Sequence, residues 1–153
     1  MSRRKGRIIA FQALHSWDVT HESLDDLLSF TWLQKIEGED EEGVPVIKDF
    51  SESEKDEQTF ASLIIAGTIE HLSEIDSTIE SHLSQNWTME RINKVTLAIL
   101  RTSVYQILFQ PDANIGIIID EAVNISREYG TDDSFKFINA VLDKIGKDEA
   151  SKK

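Results

Sequence analysis

Apolar residues recur at helical spacing along most of this chain, and few segments alternate in strand fashion. Ala10, Ala13, Leu14 and Trp17 share one face of a first helix predicted over residues 3–18. Leu24, Leu27, Leu28 and Leu33 mark a second over 23–36. Residues 38–50 hold Gly43 and Pro45 and predict a polar loop outside the core. Ser51-Glu52-Ser53-Glu54 matches a capping box and opens a third helix through Phe60, Leu63, Ile64 and Ile69. Leu72, Ile75, Ile79 and Leu83 give a fourth. Thr88 can cap a fifth over 89–109, whose centre from Val95 to Leu100 is apolar on nearly every side and should be buried. Pro111 closes it.

The sixth helix, 114–129, carries Ile115, Ile118, Ile119, Ala122, Val123, Ser126 and Tyr129 on one stripe. Gly130 stands where a left-handed C-terminal residue is wanted, and Asp132 or Asp133 can cap the seventh helix, 132–147. Its core stripe reads Phe135, Ile138, Leu142 and Ile145. Seven helices with short connections predict an all-α bundle, one domain over residues 1–153. Residues 37–52 form an acidic insert in this reading, and 148–153 a flexible tail.

Composition narrows the function. The chain has 153 residues, 40% hydrophobic and 29% charged, as expected of a soluble globular protein. It contains no cysteine, which suits a reducing compartment. The start, MSRRKGR, lacks the apolar core of a signal peptide, and no apolar run approaches the ~20 residues that span a bilayer. A cytoplasmic protein without a membrane partner is the expectation. Catalytic signatures are missing: there is no glycine-rich phosphate loop and no H-E-x-x-H spacing. His15, His21, His71 and His82 are scattered among carboxylates without a ligand pattern. The adjacent pairs Asp120-Glu121 and Asp132-Asp133 point about 100° apart on a helix and make poor acid–base dyads. Neither catalysis, nor a metal, nor a cofactor is expected.

A formal charge of −12 argues at first against nucleic acid as a partner. Its distribution changes the picture. Residues 37–57 hold ten carboxylates against Lys48 and Lys55, whereas Arg3, Arg4, Lys5 and Arg7 meet no acid before residue 8. Cations in the first turns of a helix oppose its macrodipole, and Arg3 and Arg7 share a face at i, i+4. A bound polyanion would resolve that conflict; a frayed, solvated start would also tolerate it. Phe137 falls roughly 120° from the centre of the last stripe, beside Lys136. An aromatic next to a cation can offer a base a stacking surface, or it is an ordinary partly exposed Phe. Asp133 and Asn139 lie at this edge as caps or packing residues. Arg101, inside the most apolar helix, requires a carboxylate, with Asp120 or Glu121 as candidates. Trp17 and Trp87 read as core or half-buried aromatics.

The stretch from Asp120 to Ile145, DEAVNISREYGTDDSFKFINAVLDKI, closely resembles the C-terminal signature of the NusB family of transcription antitermination factors. Arg7 to Trp17, RIIAFQALHSW, resembles that family's opening helix. Ala66-Gly67-Thr68, Ile75-Asp76, Trp87 with Arg91, and Ala98 to Arg101 with Tyr105 match its middle. The resemblance spans nearly the whole chain apart from the acidic stretch around 37–57. It implies two small helical bundles packed across each other. It also implies binding of a single-stranded RNA element, boxA, in nascent ribosomal transcripts. Arg3, Arg4, Lys5 and Arg7 would meet phosphates, with Lys136 and Phe137 as a second contact. The ribosomal protein NusE would bind a face that includes His15 and the start of the fifth helix with Thr96, within an RNA polymerase antitermination complex. His15 stands where the family usually has tyrosine, Thr96 where many members have glutamate, and Ala140 where glycine is usual. The alternative from another class is a protein–protein scaffold of this fold that no longer binds RNA.

Overall fold

The structure, a computed structural model, describes residues 3–30, 37–39, 45–47, 55–110, 112–131 and 133–152. Its helices are α1 (Arg3–Thr20), α2 (Leu24–Leu28), α3 (Lys55–Glu70), α4 (Leu72–Ser81), α5 (Lys94–Phe109), α6 (Ile115–Tyr129) and α7 (Ser134–Ser151). The all-α expectation holds, with one addition. Inside the acidic insert, β1 (Glu37–Glu39) and β2 (Pro45–Ile47) pair antiparallel, Glu37 opposite Ile47 and Glu39 opposite Pro45. Pro45, which has no N–H to donate, stands at the first position of its strand, where a ladder tolerates it.

Helix α5 is the centre. Leu97, Ala98, Ile99, Leu100, Val104 and Ile107 are buried, and so are Thr102, Ser103 and Gln106 on its remaining faces. Two of these polar side chains bond back to the helix itself: Thr102 Oγ1 donates to the Ala98 carbonyl at 3.0 Å, and Gln106 Nε2 to that of Thr102 at 3.0 Å. Helices α1, α3 and α5 touch one another, as do α5, α6 and α7, while α4 joins α5 and α7. The two-bundle arrangement is therefore two helix groups sharing α5. Ile9, Leu14, Ile64, Ile65, Ile75, Ile79, Ile99, Leu100, Ile118 and Ile138 are among its fully buried side chains. Each such burial contributes about 1.5–3 kcal/mol. Among the described residues, no helix is long and apolar enough to cross a membrane.

Several boundaries differ from the sequence reading. Helix α2 stops at Leu28, because Phe30 turns its ring inward with left-handed backbone, φ 56°. The cost of that conformation, roughly 1–2 kcal/mol, is offset by burial of the ring. Leu33 and the box at residues 51–54 lie outside the described residues. Helix α5 begins at Lys94, not Met89: Asn93 caps it, its side chain accepting from Thr96 N at 2.8 Å. Thr88 instead precedes a single 3₁₀ turn, Met89–Arg91, and makes no side-chain cap bond. Ile92 is extended between the two, which turns its side chain into the core.

Gly130 is extended, φ −93° and ψ −177°, not left-handed. A glycine is needed there for space, since a Cβ would lie 2.5 Å from Ser134 Oγ and 2.6 Å from the Ser126 carbonyl. Asp133 occupies the N-cap of α7 without a side-chain capping bond, and Asp132 is outside the described residues. The buried stripe of α7 runs Ser134, Ile138, Val141, Leu142, Ile145, so Phe135 sits beside it, not on it. Residues 148–151, expected as a flexible tail, are the last turn of α7, and Asp148 Oδ2 meets His82 Nε2 at 2.5 Å. Arg101 takes Asp76 of α4 as its partner through two 2.9 Å bonds, with Asp18 of α1 at 3.7 Å, instead of Asp120 or Glu121.

Candidate nucleic-acid interface

The cationic start of α1 is built against α3 and α6. Gly6 is buried, and a Cβ there would meet Phe60 Cδ1 at 2.6 Å and the Glu57 carbonyl at 3.3 Å, so α1 rides close on α3. That closeness sets Arg3 and Arg7 over one ring: both guanidinium carbons lie 5.5 Å from the centroid of Phe60. The shared face predicted by their spacing is thus a cation–π pair on Phe60. Arg7 also donates from Nε to Gln106 Oε1 at 2.8 Å. Burial pulls its guanidinium below the usual arginine range; Glu121 opposes that and Arg3 adds to it. It remains charged, since the ordinary value is so high.

The macrodipole conflict is answered inside the protein. Arg4 meets Glu128 at 2.6 Å and Glu121 at 3.7 Å, both on α6, and Lys5 meets Glu57 of α3 at 3.8 Å. Arg3 keeps its exposed position at the helix start. The arginine edge is therefore a row of half-satisfied cations, several with a carboxylate close by.

The second predicted contact lies at the turn between α6 and α7. Arg127 stacks over Phe135 at 4.5 Å, and Lys136 Nζ lies 5.9 Å from the same ring and 3.7 Å from Asp133. Phe137 is half-buried and packs against Trp87, ring centroids 5.0 Å apart at 39°. Lys136 and Phe137, adjacent in sequence, thus diverge: one reaches solvent, the other leans on the segment before α5. The arginine edge joins this corner through Arg4–Glu128 and through Phe11, whose ring meets Tyr129 edge-on at 5.5 Å.

Around Phe137 opens a cavity of about 280 Å³, bounded by Trp87, Arg91, Asn93, Thr96 and Asp133 among others. Trp87 is not a core aromatic; at 43% exposure it forms the outer wall. Thr96 is not a surface residue either, being 3% exposed, and its Oγ1 has no hydrogen-bond partner among the described residues. His15 is half-buried on α1. Trp87, Arg91 and Asn93 are the residues that sequence reasoning left without a functional role. Their signal was present only as the Trp87–Arg91 spacing, which the 3₁₀ turn converts into one wall of the cavity.

These features sit on a chain whose relatives are clear. The NusB family model matches residues 4–147. The transcription antitermination protein NusB of Treponema denticola is 45% identical over 145 residues, 95% of this chain and 96% of that one. Its counterpart from Treponema pallidum subsp. pallidum is 44% identical over 147 residues, 96% of this chain and 94% of that one. Among solved structures, T. maritima NusB aligns with a TM-score of 0.77 at 32% identity, covering 96% of this chain and 92% of that one. A chain from the crystal structure of the antitermination factors NusB and NusE in complex with dsRNA aligns with a TM-score of 0.77 at 27% identity, over 95% and 96% of the two chains. With fold, motifs and length all in register, the chain belongs to the NusB family.

Proposed function

We propose that this protein is a transcription antitermination factor that binds boxA-like single-stranded RNA of nascent ribosomal transcripts together with NusE. In this role it helps RNA polymerase read through terminators, acting by binding and not by catalysis. The observation that carries the reading is the arginine edge of α1. Arg3, Arg4, Lys5 and Arg7 crowd the first two turns of α1; carboxylates of α3 and α6 hold Arg4 and Lys5, while Arg3 and Arg7 are preset over Phe60. Such a row suits phosphates, while Lys136 and Phe137 supply a cation and an aromatic at the neighbouring corner. His15 and the start of α5 form the side on which NusE binds, Thr96 contributing from beneath the surface. The membership supports the role, since the relatives are antitermination proteins and one structural neighbour is held with NusE and RNA.

A titration of labelled boxA-type RNA at two salt concentrations, with and without NusE, tests the reading. Salt-sensitive binding that tightens with NusE and weakens in Arg7→Ala and Phe137→Ala supports it. A second reading, a protein scaffold without RNA affinity, draws on the ion pairs that already occupy Arg4 and Lys5. Capture of NusE with no RNA binding under either condition would decide for the scaffold.

A further inference from the structure

We infer that Gln106, buried in the central helix, is a positioning residue for RNA: it fixes the guanidinium of Arg7 and, being neutral, leaves that charge uncancelled for a phosphate. The inference rests on the RNA-binding reading and adds to it a residue that never touches RNA. Gln106 is 1% exposed in α5, where an apolar side chain would pack without burying a polar group.

The helix does not need this amide. Its Nε2 donates to the Thr102 carbonyl at 3.0 Å, an oxygen that already accepts a backbone bond in the α-helical ladder. Among the described residues, the one hydrogen bond of the side chain outside α5 is the 2.8 Å bond from Arg7 Nε to its Oε1. The two bonds also fix which way the amide faces. A flip would set its NH2 against the Arg7 N–H and its oxygen against a carbonyl, two repulsive pairs. The Thr102 carbonyl thus aims Oε1 at α1 in advance. Gln106 holds the Nε edge of the guanidinium, which lies over Phe60 with its carbon 5.5 Å from the centroid. Among the described residues this leaves the two terminal nitrogens, which can fork onto a phosphate, without a hydrogen-bond partner.

Charge sets Arg7 apart from its neighbours. Arg4 faces Glu128 and Glu121, and Lys5 faces Glu57, so a phosphate reaching either one competes with a carboxylate. Among the described residues Arg7 has no carboxylate at ion-pair distance, and Glu121 acts on it only from farther away. A carboxylate at position 106 would accept the same Nε bond but cancel the charge. An amide orients the cation and spares it.

Two substitutions separate orientation from charge. Gln106→Met keeps the volume and removes the bond, whereas Gln106→Glu keeps the acceptor and adds a charge. Each is titrated with labelled boxA-type RNA across a salt series, in the wild-type and Arg7→Ala backgrounds, with NusE capture and thermal unfolding measured alongside. Gln106→Met should bind RNA roughly three- to tenfold more weakly at unchanged salt dependence, because ordering one long side chain moves to the binding step. That loss should vanish in the Arg7→Ala background. Gln106→Glu should flatten the log–log salt slope by about 0.7, the share of one single-strand phosphate contact. NusE capture should stay as in wild type, since Gln106 lies about 15 Å along α5 from Thr96.

Wild-type affinity in Gln106→Met overturns the inference. So does a loss that persists in the Arg7→Ala background or tracks lost NusE capture, which marks Gln106 as a packing residue. An unchanged slope in a folded Gln106→Glu overturns the assigned role of its neutrality; if that variant does not fold, Gln106→Met and its cycle with Arg7→Ala decide alone. RNA affinity lost in Arg7→Ala but intact in both Gln106 variants rejects this inference and keeps the functional reading, whereas wild type that binds no RNA rejects both.

Discussion

Arg4 lies 2.6 Å from Glu128, an ion pair that fastens the first turn of α1 to the last turn of α6. Both side chains are substantially exposed, so the pair contributes little to stability, on the order of 0.2–1 kcal/mol. Its effect on RNA is larger in kind than in size. A phosphate arriving at Arg4 must displace a carboxylate already in place. Glu128→Gln should therefore tighten RNA binding about two- to fivefold at low salt, with the gain shrinking as salt is added. Unchanged affinity in the titration would show that Arg4 does not meet RNA.

Gly130 offers a sharp test of backbone against space. A left-handed residue would accept asparagine, but the extended Gly130 has no room for any Cβ beside Ser126 and Ser134. Ala and Asn substitutions should each destabilise the fold by about 1–3 kcal/mol in urea unfolding. An Asn variant as stable as wild type would contradict the extended geometry.

The Arg101–Asp76 pair should behave as a structural tether. Arg101 is 9% exposed, and among the described residues Asp76→Ala would leave its charge with Asp18 at 3.7 Å. A loss of about 3 kcal/mol is expected, against less than about 0.5 kcal/mol for Asp120→Ala on the exposed face of α6. Equal losses would return Arg101 to the partner first expected from sequence.

Burial raises the Tyr129 phenol above its usual range, the charge of Glu128 raises it further, and Arg4 pulls it back. The folded protein then holds this proton more tightly than the unfolded chain. Its contribution to stability is complete below the ordinary tyrosine value, about 10, and is lost as pH rises through the higher folded value. Wild type should thus lose more stability than Tyr129→Phe on passing from neutral pH to above about pH 10. Parallel urea curves at the two pH values, equal in both proteins, would remove the effect.

Much of the fold was legible because α4, α6 and α7 carry strong helical periodicity, and the apolar girth of Val95 to Leu100 announced the central helix. The details that escaped depend on competing contacts that periodicity does not encode, some within a turn and some from far along the chain. Phe135 was assigned to the core because it is large and apolar. Ser134 takes that place instead, its hydroxyl donating to the Thr131 carbonyl at 2.9 Å, and the one-residue shift turns Phe135 out under Arg127. The carboxylates facing Arg4 and Lys5, on α6 and α3, belong to elements no local pattern could bring there. Within the candidate site, the shared face of Arg3 and Arg7 was readable from spacing alone. The cavity wall was not, since it depends on a 3₁₀ turn where a helix was expected.

Asp18 near the end of α1 holds Lys94 at 3.1 Å and Arg101 at 3.7 Å, two turns apart on α5. His15 lies one turn before that carboxylate, and Thr96 two residues beyond that lysine. The two residues of the proposed NusE side, on different helices, are therefore yoked by one carboxylate, so a shift of the last turn of α1 would carry the start of α5 with it.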